Sequence, residues 1–144
     1  MRSSCVHVYV HFVWRTWDRL PLIDANWEDR LQACIAESAR DVGCSALRVG
    51  GTENHVHALV RLSATVAVAQ AAKQMKGESS HFATHVLRPD GFFKWQGTYG
   101  AFSVDPADIG RVIDYIDCQP EHHANATTHA EWERCDELDA ERDP

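Results

Sequence analysis

The stretch Thr52-Glu53-Asn54-His55-Val56-His57-Ala58-Leu59-Val60-Arg61-Leu62 decides how the chain is read. From His55 onward its residues alternate. His55, His57, Leu59 and Arg61 fall on one side, and Val56, Ala58, Val60 and Leu62 on the other. A period of two is the pattern of a half-buried strand, with its apolar side on a core. On the opposite side two imidazoles stand about 6.5–7 Å apart along one strand face. From there both rings can lean onto one divalent metal, each at about 2.1 Å. The same pair also suits two histidines that merely decorate a strand, so the rest of the chain has to decide.

Working outward, residues 44–49 and the turn-rich Gly50–Asn54 link predict a hairpin with the His55–Leu62 strand. Residues 5–14 alternate as well and predict a first strand, with His7, Tyr9 and His11 on one face and Val6, Val8, Val10, Phe12 and Trp14 on the other. Between these strands, Asp24 reads as a helix N-cap, Trp27, Leu31, Ile35 and Val42 as a helical stripe, and Gly43 as its stop. Residues 65–87 predict a second helix that Gly77 weakens in the middle. Phe92 to Gln96 is an aromatic loop, and Gly97 to Val104 a last strand. Asp105-Pro106 starts a third helix, which Pro120 stops. The order β-α-β-β-α-β-α predicts an α+β, ferredoxin-like (RRM-like) four-stranded antiparallel sheet with helices on one face plus a C-terminal helix. The other face then carries His7, Tyr9, His11, His55 and His57, and such a polar face needs a cover.

The chain has 144 residues, 44% of them hydrophobic, which suits one domain with a real core. No run reaches membrane-span length, and the start lacks the layout of a signal peptide. Five scattered cysteines without a C-x-x-C pair fit reduced thiols, and a cytoplasmic location is expected. The net charge of −7 argues against a generally sticky nucleic-acid binder. The acids crowd residues 131–144, however, so the body is near neutral and leaves room for a local basic groove. We therefore divide the chain into a domain over 1–123 and an acidic tail over 124–144.

On the third helix, Tyr115 and Gln119 are four residues apart and share one face beside the stripe of Ile109, Val112, Ile113 and Ile116. Tyrosine can attack phosphorus, but with a free pKa of about 10 it needs help. A metal that polarises the phosphate gives that help, and Gln119 offers an amide oxygen as a third ligand. A half-buried structural Tyr115 and a surface Gln119 fit the same spacing.

The pieces join in a resemblance. His55-Val56-His57 resembles the histidine–hydrophobic–histidine (HUH) motif, and Tyr115-Ile116-Asp117-Cys118-Gln119-Pro120-Glu121-His122-His123 resembles the Y-I-x-x-Q-x-x-H-H segment of single-tyrosine HUH transposases of the insertion sequence 200/605 family. Val10–Thr16 resembles that family's first strand, Lys76–Ser80 its K-G-x-S-S helix, and Trp95–Val104 its W-Q-x-x-Y-x-A-F-S-V strand. The likeness spans about residues 5–123. It implies a dimeric transposase that cleaves and rejoins single-stranded DNA at hairpin-bearing element ends through a 5′-phosphotyrosine intermediate. Carried over residue by residue, it makes Tyr115 the nucleophile, His55, His57 and Gln119 the metal ligands, and Mg²⁺ or Mn²⁺ the metal. It also allows the tyrosine helix to complete a partner subunit's site. Many relatives have an acid just before the first histidine. Here that position is Asn54, with Glu53 one earlier, so Glu53 and His122 are the candidates for supporting the ligands.

Arg15, Arg48, Arg61, Lys73, Lys76 and Lys94 are candidate phosphate contacts. Phe92, Phe93 and Trp95 serve either the core or base stacking. His81 and His85 have helical metal spacing but no evident third ligand. Two other readings compete with the transposase. One is a catalytically silent or domesticated protein that binds nucleic-acid hairpins, suggested by the net charge and Asn54. The other is an unrelated metallohydrolase built on His55, His57 and a carboxylate.

Overall fold

Strands form where the alternation places them: β1 (Val8–Arg15), β2 (Ser45–Gly51), β3 (His55–Leu62) and β4 (Gly100–Val104). This is seen in a computed structural model that describes residues 2–121 and 128–135 in full and 122–124 by their backbone alone. The sheet order is β2-β3-β1-β4, and every neighbouring pair is antiparallel. With helices α1 (Glu28–Asp41) and α2 (Val68–Phe82) this is the ferredoxin-like α+β arrangement that the sequence predicts. Among the described residues no helix is long and apolar enough to cross a membrane.

Each face buries a different set. Val10, Phe12 and Trp14 of β1 join Val56, Ala58 and Val60 of β3 in the main core beneath α1 and α2, with Leu31, Ile35 and Met75. On the opposite face, Leu59 packs with Val104, Val112 and Ile116 beneath α3 (Ile109–Asp117). The cover that the histidine face requires is therefore α3 itself.

Several local expectations shift. Asp24 does not cap α1. It accepts a hydrogen bond from the Asn26 backbone N–H at 2.7 Å, closing an Asx turn, and the helix starts four residues later. Gly77 leaves α2 unbroken; the irregularity is a π-helical turn over Ala83–Leu87. Pro120 does not end helical structure. The chain kinks at Cys118 and restarts as α4 (Gln119–Ala124), with Pro120 in the first turn, where its missing N–H costs no hydrogen bond.

Two glycines set how closely segments approach. At Gly50 of β2, an added Cβ would lie 2.8 Å from the Ile116 carbonyl oxygen, so α3 rests directly on the backbone there. At Gly100 of β4, the space for a Cβ is taken by the carbonyl oxygen of Arg134. Gly50→Val should therefore push α3 off the sheet. We expect a loss of about 2 kcal/mol, typical of forced overpacking, seen as a lower denaturation midpoint. An unchanged midpoint would mean that α3 yields freely.

Candidate active site

β3 presents His55 and His57 on the face beneath α3, and neither is more than 3% exposed. Each ring is held from behind. His55 Nδ1 lies 2.7 Å from Thr52 Oγ1 and 3.0 Å from Asn54 Oδ1. The amide oxygen can only accept, so this nitrogen carries the proton and Nε2 faces the site with its lone pair. His57 Nδ1 lies 2.9 Å from Nε2 of His11, one step along the same face of β1. His11 itself is fully buried, and burial lowers its pKa to about 3, so it stays neutral. Fixing one nitrogen of an imidazole so that the other is free to coordinate is the usual support for a metal-ligating histidine.

α3 and α4 bring the remaining groups. Gln119, fully buried, sets its Oε1 2.9 Å from His55 Nε2 while its Nε2 donates to the Tyr115 carbonyl at 3.2 Å. A lone-pair nitrogen and an amide oxygen face each other here, which is favourable only with a cation, proton or metal, between them. Tyr115 lies with its ring 5.8 Å from that of His57.

One site residue is absent from the sequence reading. Residues 128–135 fall in the segment set apart as a tail, yet they lie across the site. The Tyr115 hydroxyl donates to Glu133 Oε1 at 2.6 Å, and Glu133 Oε2 is 3.2 Å from His57 Nε2 and 3.6 Å from His55 Nε2. His55, His57 and Glu133 thus have ligand atoms within 4.8 Å of one another and could hold a metal ion. Trp132 packs edge-on against Tyr115 at 4.9 Å and against His11 at 5.6 Å. Arg15 anchors this strap by donating to the Glu133 carbonyl at 2.8 Å. Burial, then the bond to Glu133, pushes the Tyr115 hydroxyl well above the usual phenol range. A cavity of about 490 Å³ opens beside Tyr115, lined by Arg111, Asp114, Cys118, His129 and Trp132.

The family model described as "Transposase IS200 like" matches residues 4–119, most of the chain and both the histidine pair and Tyr115. The chain belongs to the IS200-like transposase family. Among solved structures, a protein from Deinococcus radiodurans R1 given as a transposase is similar to this family member, with a TM-score of 0.63, 21% identity, and coverage of 83% of this chain and 95% of that one. A REP-associated tyrosine transposase bound to a REP hairpin also has a TM-score of 0.63, at 16% identity, covering 85% of this chain and 73% of the other. At such identities the likeness is one of fold. No curated protein matches the sequence.

The other candidates of this IS200-like transposase scatter. Arg48 pairs with Asp117 at 3.2 Å, and Arg61 donates to the Val6 carbonyl at 3.1 Å. Lys73, Lys76 and Lys94 gather round a separate cavity. Glu53 is exposed and gives its backbone carbonyl to Ile23, while its charge is felt at Glu28 near α1. The support expected of it comes to His55 from Thr52 and Asn54 instead. The His122 side chain lies outside the described residues. Phe93 and Trp95 pack in the main core, whereas Phe92 is half exposed.

Proposed function

We propose that this chain cleaves and rejoins single-stranded DNA at hairpin-bearing transposon ends, with Tyr115 as nucleophile and a 5′-phosphotyrosine intermediate. One observation carries the reading: within a single chain, a tyrosine hydroxyl is joined through one carboxylate to a pair of buried, pre-oriented histidines. The neighbour bound to a REP hairpin supports a hairpin substrate. We read residues 1–123 as the catalytic domain, to which the strap over 128–135 adds Glu133 and Trp132. A homodimer in the cytoplasm completes the proposal.

His55, His57 and Gln119 would hold Mg²⁺ or Mn²⁺, and Glu133 would join them as a carboxylate ligand. Two imidazoles alone suit magnesium poorly; added oxygen donors suit both ions better and favour manganese in a mixed set. Bound there, the metal supplies charge that polarises the scissile phosphate and stabilises its developing negative charge. The chain's own groups do the rest. His11, Thr52 and Asn54 fix the two rings. Glu133 aims the Tyr115 hydroxyl and accepts its hydrogen bond. Trp132 shields one side of the tyrosine, and the cavity beside it admits the strand.

The test mixes protein with end-labelled hairpin DNA from the ends flanking its gene, with Mn²⁺ or Mg²⁺, and looks for a labelled band at the protein's mass on a denaturing gel. A band that disappears in EDTA is the expected result; its absence with either metal would exclude the chemistry. Glu133→Gln keeps the shape but removes the charge. We expect it to weaken Mn²⁺ binding by about tenfold to a hundredfold, the range for loss of a supporting group at a metal site, as read by calorimetry without DNA. Unchanged affinity would take Glu133 out of the ligand set.

A further inference from the structure

The lysine cavity lies away from this site, on the helix side of the sheet. It has a volume of about 400 Å³, between α2 and the loop before β4. Lys73 and Lys76 reach it from α2 and Lys94 from the loop, with Trp95 and Tyr99 in its wall. Among the described residues none of the three lysines has a carboxylate partner. Lys76 Nζ donates to the carbonyls of Gln96 at 2.7 Å and Thr98 at 3.1 Å, and Lys94 Nζ sits 4.1 Å over the Trp17 ring. Lys73 is exposed. Carbonyls and an aromatic face satisfy donors but leave net charge uncompensated. Burial already disfavours the charged form of Lys76. In a chain of net charge −7, three lysines around one cavity without a counter-ion form a local positive well.

We infer that this cavity is a second DNA subsite, which holds one nucleotide of the substrate away from the cleavage position, its phosphate on Lys73 and Lys94 and its ring against Tyr99. Charge complementarity and the aromatic wall together favour a nucleotide over a simple anion. A further cavity, of about 360 Å³, shares Tyr99 and runs past Gly100 to Arg134, the residue after Glu133. Gly77 and Gly97 line the mouth, and a Cβ added at either meets nothing within 4 Å, so the entrance is open.

This inference rests on the DNA reading above and deepens it. Its test is binding of the full-length protein to a fluorescent hairpin with a single-stranded flank, by anisotropy in EDTA across a salt series. Lys73→Gln with Lys94→Gln should weaken binding by about tenfold and make the salt dependence shallower by about 1.4 in log–log slope, the share of two phosphates on a single strand. Gly77→Leu, which fills the mouth without changing charge and favours the helix, should weaken binding and leave the slope unaltered. Wild-type affinity and slope in both variants would overturn the subsite, and so would lysine-dependent binding of an acidic peptide with DNA binding unaffected. Neither outcome bears on the metal-dependent adduct, whose absence would instead defeat the proposed reaction.

Discussion

Tyr115→Phe should abolish the covalent protein–DNA product, a loss of at least about a thousandfold, while hairpin binding persists. The substitution removes one oxygen. The ring keeps its contacts with His57 and Trp132 at 5.8 and 4.9 Å, so α3 stays in place. What goes is the nucleophile and its bonds to Glu133 at 2.6 Å and to the His129 N–H at 2.8 Å. An end-labelled hairpin incubated with Mn²⁺ and resolved on a denaturing gel reads the result; an adduct in the mutant would reassign the nucleophile. Wild type should also respond to pH in a definite direction. The Tyr115 pKa is raised by burial and by Glu133, so the phenolate is a minor species at neutrality. Its fraction grows tenfold per pH unit below that pKa, and the adduct rate should therefore climb between about pH 6 and 8 rather than fall.

Much of this arrangement is legible in the sequence because it is local. The alternation over His55–Leu62 and residues 5–14 sets which residues meet the helices, and the structure keeps both faces. Tyr115 and Gln119 still meet as their four-residue spacing predicts, although the chain kinks at Cys118 between them, because the Gln119 side-chain amide donates back to the Tyr115 carbonyl at 3.2 Å. What stayed hidden is non-local. Glu133 is one acid in an acidic run, 76 residues from His57, and nothing in its neighbours marks it apart from Trp132, an aromatic in a polar stretch. That tryptophan is the signal that could have shown the segment to be packed. Gly100 held a second clue, since its missing side chain admits the Arg134 carbonyl. His11 was placed on the correct face by alternation, but its bond to His57 depends on strand register, which no single strand reveals.

The second large effect concerns which subunit's tyrosine acts. Mixing a His57→Ala chain with a Tyr115→Phe chain should give no adduct above either alone. The reason is packing. α3 buries Val112 and Ile116, each 1% exposed, against Leu59 of its own β3, and it touches Gly50 of its own β2. Moving α3 to a partner requires it first to leave its own sheet, which exposes those two side chains, each worth about 1.5–3 kcal/mol when buried, and breaks the Gln119–His55 bond; a symmetric exchange only remakes these contacts on the partner and gains none. A swapped arrangement predicts a different outcome. Random assembly would make about half of the dimers mixed, each with one intact site in a symmetric exchange, and so restore about a quarter of wild-type adduct. The two arrangements thus differ by the presence or absence of a band. Recovery in the mixture would show that DNA binding pays for releasing α3 and would make the one-chain site a resting state. Its absence would leave each chain's own His57 and Tyr115 as the working pair.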